Sequence, residues 1–165
     1  MRRLRAWTIR RLVAMVIMTV VMAMASGLLR AQILGTVTNQ RGLAFGTVIS
    51  GTTTSIAPTA AGAAMWWVHG AITIGGGFTF TLPNNLTTSG GATMPITFCT
   101  TCAIYRVGNT SPAGGTTFNP KNGNGLVLAV VSDIYIWLGA SVNPPLTQTP
   151  GHYTGTVVFT VAGLL

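Results

Sequence analysis

The chain has 165 residues, 48% of them apolar, and carries nine Lys and Arg against one acidic side chain, for a formal net charge of +8. Five of the nine cations (Arg2, Arg3, Arg5, Arg10, Arg11) crowd the first eleven positions, and beyond Ala31 only Arg41, Arg106 and Lys121 remain against Asp133, a net of +2. That excludes the basic footprint a nucleic-acid binder needs and long-range steering of acidic partners, and a single carboxylate excludes paired-carboxylate acid/base chemistry within one chain.

The basic cluster precedes an apolar run from Leu12 to about Ala25 with small residues beyond it. This is the layout of a secretory signal peptide. Two cleavage sites fit, after Ala25 in Ala23-Met24-Ala25 and after Ala31 in Leu29-Arg30-Ala31. The run is shorter than the roughly 20 residues a spanning helix needs, so cleavage is expected rather than anchoring. No membrane span is expected after the leader, and the mature chain is expected in the periplasm, at the cell surface or outside the cell. The expected division is a signal peptide over 1–31, an extended segment over 32–42 and one domain over 43–165.

The 134 residues beyond Ala31 are rich in Thr, Gly and Val, with one Lys and no Glu. Helix surfaces favour Lys and Glu, whereas strands favour β-branched residues. No 3.6-residue period follows the leader, so the reading is all-β. Gln32 to Gly42 is polar and extended. Leu43 to Ser50 reads as the first strand of the domain, with Leu43 and Phe45 on one face, Val48 on the other, and a bulge or bend at Gly46. Thr52–Ile56, a turn over Pro58–Gly62 and a strand over Ala63–Gly70 follow. Ala71–Leu82 keeps its phase across Gly75-Gly76-Gly77, which predicts two strand segments joined by a glycine kink or turn, ended by Pro83-Asn84-Asn85.

Met94–Cys99 and Ala103–Val107 are shorter strands. Asn109–Asn124 reads as an exposed loop, with tight-turn signals at Asn122-Gly123 and Asn124-Gly125. Leu126–Val131 and Ile134–Leu138 are strands, and Asn143-Pro144-Pro145 is a linker. The final stretch alternates from Tyr153: Tyr153, Gly155, Val157, Phe159 and Val161 share one face, and His152, Thr154, Thr156, Val158 and Thr160 the other. Period two is the pattern of a half-buried strand. Eight to ten short strands separated by turns predict a single antiparallel β-sandwich.

Few residues suit chemistry. A Ser–His–Asp arrangement would have to join His69 or His152 to Asp133, and no nucleophile-elbow glycines flank a serine. Two distant histidines and one Asp lack metal-ligand spacing. No enzymatic activity, metal or cofactor is expected. Cys99-Thr100-Thr101-Cys102 has strand-like flanks, whereas a redox CxxC needs its first Cys at a helix N-terminus. In an oxidising compartment a short structural disulfide is expected, with free thiols as the alternative. In a continuous strand the two Cα atoms would lie about 10 Å apart, beyond bridging range. A bridge therefore demands a turn at Thr100-Thr101, and β-branched residues disfavour the positive φ of a tight hairpin. Trp66-Trp67 could form a ligand platform; neighbours on a strand face opposite sides, so one is core and the other surface or interface.

Three segments occur in order: Leu43-Ala-Phe-Gly-Thr-Val, Phe78-Thr-Phe-Thr-Leu-Pro, and Leu138-Gly-Ala leading to Pro150-Gly-His-Tyr-Thr-Gly-Thr and Phe-Thr-Val. Together, over about Leu43 to Val161, they resemble a bacterial family of exported β-sandwich domains of unknown function. Its marks are an L-x-F-G start, an internal T-L-P and a final G-x-Y-x-G strand. That family is similar to pilin and spore-coat U-type domains, linked to surface fibres assembled by chaperone–usher pathways. The resemblance implies an immunoglobulin-like, pilin-like sandwich. The family's final strand ends on an aromatic, where this chain has Gly163. Pilins carry a Gly fourteen residues before the chain end and an apolar penultimate residue, a spacing that Gly151 and Leu164 match, although Leu164 falls on the threonine face.

The resemblance implies an exported structural or adhesive subunit, a homopolymer built by strand donation with a periplasmic chaperone and an outer-membrane usher as partners. Gln32 to about Gln40 is the expected donor, with Gly151, Tyr153, Gly155, Val157, Phe159 and Val161 forming the assembly or core strand. The competing reading is a self-contained secreted binding module, for glycan, using Trp66 or Trp67.

Overall fold

A computed structural model describes residues 35–125, 130–131 and 133–164; the leader and Leu126–Ala129 lie outside them. The described part contains strands and no helix. In chain order these are β1 (Thr36–Arg41), β2 (Thr54–Ile56), β3 (Ala64–His69), β4 (Ala71–Thr81), β5 (Asn85–Thr87), β6 (Thr93–Thr97) and β7 (Ala103–Val107). They continue with β8 (Thr116–Phe118), β9 (Asn124–Gly125), β10 (Val130–Val131), β11 (Ile134–Leu138), β12 (Ala140–Val142) and β13 (Val158–Leu164).

All pairings are antiparallel. The first sheet has the order β1-β3-β11-β7-β8; the second is β10-β4-β13 with β9 also on β4; the third is β2-β12-β6-β5. One apolar core draws on all three: Trp66 and Val68 from β3, Ile134, Ile136 and Leu138 from β11, Phe78 from β4, and Met94, Ile96 and Val142 from the third sheet. No helix among the described residues is long and apolar enough to cross a membrane.

The chain passes between the first and third sheets four times; apart from the 42–53 segment between β1 and β2, the three crossings are neighbours. One is the Ala57–Ala63 turn, closed by Ala60 N–Ala57 O and Ala63 N–Ala60 O bonds of 2.9 and 3.1 Å. Another is the Cys99–Cys102 turn, where the two cysteines are bridged with Cα atoms 5.0 Å apart. The third is Gly139, between β11 and β12, whose N–H donates to Cys102 O at 2.8 Å. A Cβ on Gly139 would sit 2.2 Å from Ile56 O, so backbone approach at this crossing requires glycine. The disulfide turn resolves the conflict at Thr100-Thr101. It joins strands of different sheets, not a hairpin, and among the described residues only glycines have positive φ.

Several expectations are corrected. Leu43–Ser50 is not a strand. Gly46, at φ +68°, turns the chain, so that Leu43, Phe45 and Val48 all pack against the core instead of facing opposite ways. Ala71–Thr81 is one strand, not two; the glycines instead coincide with a register shift against β13, since Gly77 pairs Ala162 and Ile72 pairs Leu164. The Asn109–Asn124 loop contains β8, and Asn124-Gly125 is strand, not turn. Gly123 does turn, at φ +71°. Asn85, expected in a turn, opens β5, and β5 and β12 were not expected at all. The last strand begins at Val158, after a single bridge between Thr154 and Thr87.

The polar N-terminal segment is a strand of the first sheet. All six side chains of β1 are exposed, so it buries no face and is held by its ladder to β3.

Candidate functional site

A groove of about 840 Å³ lies between the 42–50 segment and the 148–157 segment. Its walls carry Leu43, Phe45 and Val48 on one side and Tyr153 and Val157 on the other; Leu86, Met94, Ile96 and Trp66 line it between them. Each wall follows from local chemistry. The Gly46 bend turns three apolar side chains the same way. Opposite, Gly155 lets the chain lie against β5, since a Cβ there would meet Leu86 Cδ2 at 2.7 Å. The Thr87–Thr154 bridge, with backbone N–O distances of 2.7 and 2.9 Å, pins that wall.

The final residues keep their alternation. Tyr153, Val157, Phe159 and Val161 are half-buried and pack on the core, while His152, Thr154, Thr156, Val158 and Thr160 are exposed. Gly155 is exposed, as is Gly151 at the rim. Phe159 lies 5.0 to 5.9 Å from Phe80, Trp66 and Phe78. Beyond the groove, β13 pairs with β4 on one edge and has no partner on the other among the described residues. Its half-buried face therefore ends at an open edge.

Polar side chains line the groove as well, among them Asn39, Thr47, Ser50, His152 and Thr156. Gln148 donates to Thr93 O at 3.0 Å and to the Tyr153 hydroxyl, and Tyr153 donates to Thr149 O at 2.5 Å. Gln148 Oε1 is buried with no donor among the described residues. The groove can thus hold an extended apolar segment, with one free acceptor for an incoming N–H. Leu86, Met94, Ile96 and Gln148 were missed from sequence; the buried alternation of Met94 and Ile96 was the one available signal.

The other candidates lie elsewhere. Trp66 is core, 5% exposed. Trp67 is half-buried on the opposite face of β3, beside His69 and directly across from Tyr135, so the two tryptophans do not share a platform. Tyr135 stands in turn across from Arg106, whose guanidinium bonds Ser111 O and Ala113 O and holds that loop over β7. His69 and Asp133 do come together, Nδ1 to Oδ1 at 2.5 Å, both partly exposed. The His69 hydrogen bond holds the Asp133 carboxyl below its ordinary range, and the Trp67 indole N–H nearby adds to this without closing a hydrogen bond. Among the described residues no hydroxyl or thiol is hydrogen-bonded to His69. No group of three metal-ligating side chains occurs among them either.

Comparisons with family models, with curated proteins and with solved structures give no match. The geometry of the groove and the open strand edge beside it therefore carry the functional argument.

Proposed function

We propose that the chain is an exported structural subunit with an immunoglobulin-like, pilin-like sandwich, whose groove receives an extended segment of another copy. The observation that carries this is the open groove beside a C-terminal strand paired on one edge only. An added strand would gain main-chain hydrogen bonds along the free edge of β13 and seat alternate side chains against Leu43, Phe45 and Val157, which is the physics of strand addition. The leader supports export, and the resemblance to pilin and spore-coat U-type domains supports a fibre, with a periplasmic chaperone and an outer-membrane usher as partners. In this reading the protein is not an enzyme and takes no cofactor.

Size-exclusion chromatography of the exported protein, alone and with a periplasmic chaperone, tests the reading. Concentration-dependent oligomers are expected for the free protein and a one-to-one complex with the chaperone. Phe45→Arg, which puts a charge in the groove wall, should yield folded monomer. Unchanged assembly of that variant would overturn the groove as the acceptor. A second reading, a secreted glycan-binding module, rests on Trp67 beside Tyr135 on the other face of the first sheet. It predicts a folded monomer whose tryptophan fluorescence responds to oligosaccharide.

A further inference from the structure

We infer that the Cys99–Cys102 bridge is a site of thiol–disulfide exchange, entered at Cys99 by the thiolate of a dithiol, with Cys102 departing as the thiolate. This does not depend on the assembly reading, since neither cysteine lines the groove.

Three observations carry it. First, the two cysteines differ in access. Cys99 is exposed, as are Thr100 and Thr101 beside it, whereas Cys102 is 6% exposed. The incoming thiolate must reach the sulfur it attacks in line with the bond that breaks, so access selects Cys99. Second, the departing sulfur already has a donor: the Cys99 backbone N–H donates to Cys102 Sγ at 3.0 Å. Burial disfavours an anion at Cys102, and this bond counters it, because a hydrogen bond strengthens when its acceptor becomes charged. Third, the turn is held by more than the bridge. Cys102 N–H donates to Cys99 O at 3.3 Å, and Cys102 O accepts from Gly139 N–H at 2.8 Å. Phe98 before the turn and Ala103 and Ile104 after it are buried. Opening the bridge therefore leaves both thiols close together and the crossing in place.

The exchange balances with the dithiol as the reductant. Its first thiolate attacks Cys99 Sγ, forming a new S–S bond as the Cys99–Cys102 bond breaks. The electron pair of the broken bond goes to Cys102 Sγ, which then takes a proton from water. The second thiolate of the dithiol displaces Cys99 as a thiolate and closes the reductant to its disulfide, so two electrons have passed to the chain. The chain is the substrate of this exchange rather than its catalyst. Its turn lies between strands, with no helix N-terminus among the described residues to activate Cys99.

The test uses the exported protein, oxidised and without substitutions. Under folding conditions, the rate of bridge opening should rise in proportion to dithiothreitol and lie within about tenfold of that for a Cys-Thr-Thr-Cys peptide. The reduced product should still melt cooperatively. A rate that does not depend on dithiothreitol would show that opening waits for unfolding, and would overturn the inference. With reduced glutathione in place of dithiothreitol, acid quenching and fragmentation mass spectrometry should find glutathione on Cys99 with a free thiol at Cys102, about tenfold or more over the reverse. Equal labelling, or an excess on Cys102, also overturns it, since access would then not select the sulfur. Reduced thioredoxin separates the two sources of a dithiol. Opening by thioredoxin and dithiothreitol alike assigns the site to protein dithiols as well as small ones, and opening by dithiothreitol alone confines it to small ones; both support exchange at Cys99.

Discussion

Phe159 touches three aromatic rings from two sheets, Trp66, Phe78 and Phe80, so it packs the last strand against both layers. Phe159→Asp removes those contacts, about 3 kcal/mol or more by the usual cost of losing a packed aromatic, and sets an unpaired charge against apolar rings. Set against a domain stability of about 5–15 kcal/mol, the expected outcome is loss of folded protein in thermal melting and in export yield. Thr156→Asp, on the exposed face, should melt within about 0.5 kcal/mol of the parent. Equal tolerance of both would refute the face assignment. Gly139→Ala tests a different force. Its Cβ would meet Ile56 O at 2.2 Å and Pro58 N at 2.8 Å, backbone atoms on both counts. A cost of about 1–3 kcal/mol, typical of overpacking, should appear as a lowered urea midpoint with unchanged slope.

The Cys99–Cys102 bridge spans a sequence separation of three, so the unfolded chain loses little freedom by it. Chain-entropy reckoning gives about 2 kcal/mol for a loop this short. The Cys99→Ser, Cys102→Ser double variant should therefore fold, with its urea midpoint lowered by no more than that. A total loss of folding would mean that the crossing between sheets cannot form unbridged. Legibility of the elements followed the same physics of length and burial. Ala103–Val107 and Ile134–Leu138 coincide with their expected ranges, and Ala64–His69 falls one residue inside the expected Ala63–Gly70 at each end, because each has enough apolar residues to display its pattern. β5 and β12 have three residues each and cannot display a period. β1 buries nothing, so hydrophobic patterning is silent about it. Leu43, Phe45 and Val48 mimic a strand because irregular backbone pressed on a core also directs apolar residues inward. The groove was illegible for another reason: it arises from two segments over a hundred residues apart in the chain facing one another, and no local pattern encodes that.

At the scale of the molecule, the scarcity of carboxylates sets the response to acid. Asp133 is the only acidic side chain in the sequence, and its pKa is lowered in the fold by His69. A depressed carboxyl stabilises above its unfolded value, near 3.9. That contribution is lost only as the pH falls through the lower, folded value. Since acid unfolding works mainly through protonated carboxylates, the acid limb of a stability–pH curve should be shallow down to about pH 4. Asp133→Asn should remove most of the slope below that. A steep loss between pH 6 and 4 would contradict this, as would an unchanged acid limb in Asp133→Asn.

The pairing of β4 with β13 also sets a clock. Thr81 meets its partner Val158 only after the 76 residues between them have been made, and at synthesis rates of roughly 5–20 residues per second that is a wait on the order of 4–15 s. Until then Phe78 and Phe80 have no strand beside them on that side, and the aromatic cluster around Phe159 cannot assemble. The aromatic cluster that joins β4, β3 and β13 is thereby denied to a nascent chain until Val158–Leu164 has been made.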